Sequence, residues 1–255
     1  MDRFTYQQCT KEYDMNELQF LANTELFGDL TDAQLALISQ DIIPRHYEQG
    51  EVIFREGDPG EVLYMVQSGQ VRIFVNSLDG SETSVILFGR AGDIFGELAV
   101  IDGLPRSATA VALDNTTLYT IDRQAFSQHM RQMPQLSFNF MQELTKKVRY
   151  NTRQMDSLTS LPVPQRLARK LMELAKEYGR VEDVGVYIDM TLTQSQLASL
   201  IGATRESTNK GLRDFRQRAW ILVEQGHITI LDPEALRASE SESSSDESQT
   251  DVPEL

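Results

Sequence analysis

The chain has 255 residues, 40% of them apolar and 24% charged, with a formal net charge of −14. That length suits one large domain or two smaller ones with a true core, and no apolar run reaches the ~20 residues a membrane-spanning helix needs. The single cysteine, Cys9, excludes an intramolecular disulfide, a four-cysteine iron–sulfur cluster and a cysteine-based zinc site within one chain, and fits a reducing cytoplasm. The N-terminus, MDRFTYQQCTKEYD, lacks the apolar stretch and cleavage pattern of a signal peptide.

Residues 1–23 carry no strong pattern and read as a short, partly ordered extension. Thr31 opens TDAQLALIS, a short helix with Thr31 as N-cap and Leu35, Leu37 and Ile38 on its apolar side. From Ile42 to Ile121 the pattern is strand-like. Val52 and Phe54 alternate, then Val62–Val66, then Val71, Ile73 and Val75, then Val85–Phe88. Gly57-Asp58-Pro59-Gly60, Ser68-Gly69 and Asp79-Gly80 separate these runs as turns. Strands at such spacing predict an antiparallel roll or barrel over residues 24–133.

One helix interrupts the strands within GDIFGELAVIDGLPRSATA, Gly92 to Ala110. Gly92 and Gly96 let the backbone turn tightly and approach a ligand. Leu98, Val100 and Ile101 suffice for one short helix, whose first N–H groups suit an anion. Arg106 follows a Gly-Leu-Pro turn, and its planar fork can hold two phosphate oxygens. Glu97 beside an anion site makes sense if it accepts a bond from a sugar hydroxyl and pairs with a nearby base. Ser107 can donate one more bond. The set Gly96, Glu97, Leu98, Arg106 and Ser107 therefore has the chemistry to hold one phosphate and one ribose. The blander alternative is a solvated arginine after a proline.

From Pro134 the period changes. Met141, Leu144, Val148, Asn151, Met155 and Leu158 are spaced 3-4-3-4-3, the spacing of a coiled-coil seam, over only about two and a half heptads. Residues 134–160 thus read as a dimerisation helix. The alternative is a helix packed wholly on its own domain. Leu136, Phe138 and Phe140 lie off the stripe and are expected to pack on the roll. Asn151, polar within the seam, can fix register or face a ligand. Pro162 and Pro164 mark a hinge, 161–164.

Residues 165–235 form the second predicted domain. Gln165 to Tyr178 is an amphipathic helix burying Leu167, Leu171, Leu174 and Ala175, and Gly185 to Thr191 a strand. Thr193-Gln194-Ser195-Gln196 has the form of a capping box; Leu197, Leu200 and Ile201 follow on a short helix that Gly202 ends. Thr204 caps the next helix, Arg205 to about Arg218, with Leu212 and Phe215 inward. Helix, glycine turn, helix is the helix-turn-helix pattern; a plain helical hairpin is the alternative. Arg205, Glu206, Ser207, Asn209 and Lys210 are types that reach base edges and phosphates, and with the two caps Thr193 and Thr204 they make up the candidate DNA-binding set. The hairpin Ile221–Leu231, centred on Gln225-Gly226, reads as a wing.

Charge is segregated. Arg205–Arg218 has five bases, Arg205, Lys210, Arg213, Arg216 and Arg218, against Glu206 and Asp214. The tail 236–255 carries Glu240, Glu242, Asp246, Glu247, Asp251 and Glu254, and no base from Ser239 onward; it reads as disordered, either solubilising or able to compete with DNA for the basic helix. His46, His129 and His227 form no ligand cluster, which argues against haem and a metal site. No positioned nucleophile–base pair accompanies the glycine-rich stretch, so no catalytic residue is expected; an enzyme acting on the ligand of that stretch is the remote alternative.

FGELAVIDGLPRSATA and LTQSQLASLIGATRESTNKGL, in this order, closely resemble the cyclic-AMP receptor protein (CRP/FNR) family of bacterial transcription regulators, over about Phe27 to Leu231. The resemblance implies an α+β chain: an N-terminal antiparallel, jelly-roll-like β-roll that binds a cyclic nucleotide, a long dimerisation helix and a C-terminal winged helix-turn-helix. It implies that Glu97 binds the ribose 2′-OH, that Arg106 and Ser107 bind the cyclic phosphate, and that Arg205, Glu206 and Lys210 read the major groove. Lys210 stands where the family usually has Arg, keeping the charge and losing the fork. Asn151 and Thr152 fall where the family's Thr-Ser pair meets adenine. The implied function is a cytoplasmic homodimer on palindromic double-stranded DNA, working with RNA polymerase. Cyclic AMP would be its allosteric ligand, with no permanently bound cofactor. Cyclic GMP, a cyclic dinucleotide or no effector are the alternatives within the same architecture.

Overall fold

The computed structural model describes residues 15–76 and 82–239. Packing divides the chain into two units, with the later boundary inside one helix, between Arg149 and Tyr150.

The first unit opens with α1 (Met15–Ala22) and α2 (Asp32–Ser39). A helix stands where the sequence reading has only a patternless extension. Its anchor is Leu21, fully buried, with Leu18 and Phe20 leaning on the same core; so few anchors leave no periodic trace. Thr31 caps α2 through a reciprocal capping box with Gln34. Leu35 and Ile38 are buried, but Leu37, expected with them, is 48% exposed. It lies two positions from Leu35, and such residues do not share a helix face.

The strands are β1 (Ile43–Tyr47), β2 (Val52–Phe54), β3 (Val62–Ser68), β4 (Val71–Asn76), β5 (Glu82–Phe88) and β6 (Ile94–Phe95); α3 (Glu97–Asp102) follows, then β7 (Thr109–Ala112) and β8 (Thr116–Asp122). They form two four-stranded sheets, β1-β8-β3-β6 and β2-β7-β4-β5. Pairing is antiparallel between β8 and both β1 and β3, and between β7 and both β2 and β4. Gly69 turns β3 into β4 at φ +88°, where a Cβ would collide with Thr116. The Asp79-Gly80 turn lies outside the described residues. Along β4, Val71 to Phe74 are all buried; the alternation shows only one of its covered faces, because Arg72 lies over Phe74 at 4.4 Å.

Asp122 caps α4 (Arg123–Gln132), and α5 (Pro134–Ser160) follows. Leu136 and Phe140 enter the core, where Phe140 meets Phe126 edge-on at 5.3 Å, and the buried Asn139 amide donates to the Leu26 carbonyl at 3.0 Å. Phe138, expected beside them, is 52% exposed, for the same reason as Leu37. Of the proposed seam, Met141, Val148, Asn151 and Met155 are exposed. Leu144 is half-buried against the core, and Leu158 is 45% exposed and lies over Gly202. The exposed stripe is thus narrower than the spacing alone implies.

The second unit contains α6 (Val163–Tyr178), β9 (Gly179–Glu182), β10 (Gly185–Ile188), α7 (Gln194–Leu200), α8 (Arg205–Gln217), β11 (Ile221–Glu224), β12 (His227–Ile230) and α9 (Pro233–Ser239). Its sheet runs β11-β12-β10-β9. Only Leu161 and Pro162 separate α5 from α6. Pro164, expected as a breaker, sits in the first turn of α6, where its missing N–H and fixed φ cost nothing. Leu167, Leu171 and Leu174 are buried, Ala175 half-buried. Lys170 is buried as well, and its ammonium meets Glu173 at 2.5 Å and the Tyr150 hydroxyl at 3.2 Å. Burial raises the pKa of that hydroxyl, with Lys170 opposing. The strand expected over 185–191 ends at Ile188 and gains β9 as its hairpin partner. In α8, a Cβ on Gly211 would come 2.8 Å from Leu167 Cδ2. Helix α9 packs against α6 through the fully buried Leu236. Among the described residues no helix is long and apolar enough to cross a membrane, and no three metal-ligating side chains converge.

Candidate functional site

In the first unit the glycine-rich stretch is built around one reversal. Strand β6 ends at Gly96, whose φ of +74° and ψ of 13° start α3; Gly103, at φ +75°, ends it by donating to the Ala99 carbonyl. The helix buries Ala99 and Val100 and leaves Leu98 50% exposed. Ile101, expected with the apolar side, is 46% exposed. Six residues make fewer than two turns, and only one face meets the roll.

The returning loop is pinned by its backbone. Arg106 N–H donates to the Asp58 carbonyl at 2.8 Å, and Gly57 N–H to the Arg106 carbonyl at 2.8 Å. The Arg106 guanidinium is buried. It donates through Nη1 to the Gly96 carbonyl and through Nη2 to the Val62 carbonyl, each at 2.7 Å. It lies over the Phe54 ring at 4.3 Å and the Tyr64 ring at 5.4 Å. Burial lowers its pKa, and Tyr64 and Glu97 oppose the shift. The side chain is therefore more than a free fork: two of its five donors hold the β6–α3 reversal to β3. Its Nε is buried with no hydrogen-bond partner. A buried charged donor left over in this way fits an anionic ligand. A Cβ on Gly96 would stand 2.5 Å from Nη1, so glycine here answers both the positive φ and the arginine.

Glu97 is buried, and its Oε1 accepts from Lys147 Nζ at 2.9 Å. Lys147 also donates to the Ile94 carbonyl at 2.8 Å and lies 5.2 Å from the Phe88 ring centroid. The base that Glu97 calls for is thus a residue of α5. The pair occupies one carboxylate oxygen; the other has capacity to accept from a hydroxyl. Ser107 is exposed on the loop. Asn151 and Thr152 are both exposed on α5.

Lys147, Phe54 and Tyr64 carry no signal of their role in the sequence. Lys147 lies in no motif, and the rings belong to ordinary strand runs. Lys147→Met leaves the Glu97 carboxylate buried and unpaired and should destabilise the first unit by about 3 kcal/mol, read as a lower melting temperature. Adding Glu97→Gln should then recover most of the loss, because the buried charge is gone as well. Melting curves of the two single variants and the double variant check this; strictly additive losses would contradict it.

In the second unit, Thr193 and Thr204 cap α7 and α8. Thr193 accepts from Gln196 N–H at 3.2 Å, and Thr204 from Ser207 N–H at 3.1 Å. Both hydroxyls also donate, to Gln196 Oε1 and Ser207 Oγ, so local structure already uses them. Gly202 turns the chain at φ +58°. Arg205, Glu206, Ser207 and Lys210 project to solvent from the first turns of α8. Asn209 does not share their exposure: it is half-buried and its Oδ1 is buried without a partner. Leu212, Phe215 and Thr208 face inward. Exposed Arg213 and Arg216 continue the cationic surface, and Arg218 pairs with Asp214 at 3.0 Å. Gln225 at φ +49° and Gly226 at φ +85° make the tight turn between β11 and β12, since two successive positive φ values suit a two-residue hairpin.

Both units match known domain families. Residues 44–133 match the model of the cyclic nucleotide-binding domain, and residues 165–239 that of the Crp-like helix-turn-helix domain. The CRP-like cAMP-activated global transcriptional regulator of Mycobacterium tuberculosis is 32% identical over 218 residues, 86% of this chain and 97% of that protein. The cyclic AMP receptor protein of Thermus thermophilus is 29% identical, covering 82% and 94%. Among solved structures, a CRP/FNR-family regulator, also from Thermus thermophilus, superposes with a TM-score of 0.66 at 25% identity, covering 78% of this chain and 99% of its own. FixK2 from Bradyrhizobium japonicum shares the fold, with a TM-score of 0.70 at 18% identity over 79% and 98%.

Proposed function

Since the chain belongs to the CRP/FNR family of cyclic-nucleotide-binding, DNA-binding transcription regulators, which are not enzymes, we propose that its effector is cyclic AMP and that it acts as a homodimer on palindromic sites. The observation that carries the effector is the pairing of two buried groups across one glycine reversal: the Glu97 carboxylate, with one oxygen held by Lys147, and Arg106, whose Nε has no partner. A 3′,5′-cyclic mononucleotide offers what both require, a free 2′-OH for Glu97 and a single phosphate for Arg106 and Ser107. The two relatives named for cyclic AMP support that base over guanine, with Asn151 and Thr152 as the residues that would meet it.

The exposed stripe Met141, Val148 and Met155 on α5 is the surface for a second copy. Two α8 helices about 34 Å apart would then enter successive major grooves, with RNA polymerase as the working partner. Effector binding favours DNA only if it is tighter in the DNA-competent state. Lys147 is a route for that preference, because it joins the ribose-binding carboxylate to α5.

Calorimetric titration with cyclic AMP and cyclic GMP, followed by DNA binding with each and with buffer alone, tests the proposal. Cyclic AMP should bind most tightly and raise DNA affinity. Equal DNA affinity in buffer would favour an effector-independent regulator, in which Arg106 serves only its two backbone carbonyls. Arg205→Ala should weaken binding to the specific site by about 5- to 150-fold and leave random DNA nearly unaffected. An equal loss on both would make Arg205 a phosphate contact.

A further inference from the structure

Helix α8 carries more exposed positive charge than its own chain neutralises. Arg205, Lys210, Arg213 and Arg216 are exposed, and none has an acidic partner among the described residues. Arg218 has already taken Asp214, which leaves Glu206 as the one further acid on the helix. The chain holds a complement. Residues 240–255, ESESSSDESQTDVPEL, contain six acids and no base.

The connection between them is short and fixed. Leu231 and Asp232 N–H both donate to the carbonyl of Trp220, at 2.8 and 3.2 Å, just beyond the C-terminus of α8. Helix α9 then runs for seven residues, about 10 Å. The acidic segment therefore starts within about one short helix of the end of α8. Sixteen residues reach up to ~50 Å when extended, against ~20 Å for the 13 residues of α8. Tethering at that range gives a local concentration in the millimolar range, enough for a weak polyanion contact to matter.

We infer that the acidic segment 240–255 docks on the exposed cationic face of α8 in its own chain and competes there with DNA phosphates. The inference rests on α8 being the DNA-reading helix. It makes the tail a filter. Random DNA offers only the phosphate attraction that the tail also offers, whereas a cognate site adds base contacts the tail cannot copy. Displacing the tail costs both kinds of site the same factor in affinity, so at a given concentration it empties the weak random sites while the tight cognate site stays occupied.

The test compares the full chain with a full-length variant in which Glu240, Glu242, Glu247 and Glu254 become Gln and Asp246 and Asp251 become Asn. Without DNA, the backbone amide resonances of Arg205–Arg218 should differ between the two chains at about 50 mM salt and coincide near 300 mM, as screening shortens the reach of charge. With DNA, the neutralised variant should bind both random and cognate duplex about three- to tenfold more tightly at low salt, because displacing the tail costs either duplex the same free energy. A chain cut after Ser239 should behave like the variant. Identical α8 resonances in both full-length chains would overturn the inference, even if DNA affinity changed, because that change would then be like-charge repulsion without contact. Failure of every chain to bind DNA would instead count against the DNA-reading role of α8, while the resonances still report the tail.

Discussion

Arg106→Lys should reduce cyclic AMP affinity by about a hundredfold, roughly 2.7 kcal/mol, with the first unit still folded. The size follows from the geometry. Arginine spends Nη1 on the Gly96 carbonyl and Nη2 on the Val62 carbonyl and keeps Nε buried without a partner. An ammonium has no rigid fork to serve two carbonyls and an anion together, and it is more strongly hydrated, so burial over Phe54 costs it more. Arg106→Ala is the less informative variant, since it also leaves two buried carbonyls unsatisfied, at about 1–3 kcal/mol each, and confuses binding with folding. Calorimetry on the lysine variant, with far-ultraviolet dichroism to confirm folding, reads the effect. Unchanged affinity would remove the phosphate from Arg106 and leave it a purely structural clamp.

Phe215→Ala should abolish specific DNA binding and cost the second unit about 3–5 kcal/mol. Phe215 is 2% exposed and packs against Trp220 with ring centroids 5.4 Å apart, so its ring joins the inward face of α8 to the start of β11. The loss should be selective. The proposed ribose and phosphate contacts, Glu97, Arg106 and Ser107, belong to the first unit, so nucleotide binding should persist, less what Asn151 and Thr152 contribute, at temperatures where the second unit of the variant has melted. Titrating nucleotide and DNA at the same temperature checks this. Parallel loss of both activities would mean that the units do not melt separately.

Local rules were readable wherever the cause is local. Thr31, Thr193 and Thr204 are caps because a hydroxyl three residues before an N–H satisfies it in any context, and Gly96, Gly103 and Gly202 adopt positive φ as glycines before or after short helices do. Faces of short helical stretches were less readable. Leu37 and Ile101 are apolar and exposed on helices of one or two turns, too short to show which side meets the body of the protein, and Phe138 is exposed because it lies between Leu136 and Phe140, which share the opposite face. Helix α1 left no pattern, because only Leu21 is fully buried and Leu18 and Phe20 pack at its margin. The site divided along the same line. Glu97 announced a missing cation, but Lys147 lies far along the chain and only tertiary packing brings it there. Arg106 read as an open fork, yet the two carbonyls it serves belong to β3 and to the Gly96 reversal. Asn209 has the chemistry of a base reader and is half-buried by its place on the helix.

Gly211 has a consequence for moving sequence specificity between proteins. A helix interior glycine lowers the stability of α8 on its own, and its benefit is the close approach to Leu167 of α6. The exposed positions 205, 206, 207 and 210 can be exchanged for those of another regulator without touching the core. Thr208, Gly211, Leu212 and Phe215 have to travel with the body that receives them. A donor helix with a larger residue at 211 would press on Leu167 Cδ2, and the buried leucine would have to shift with it, so the portable unit is a face of α8 and not the helix.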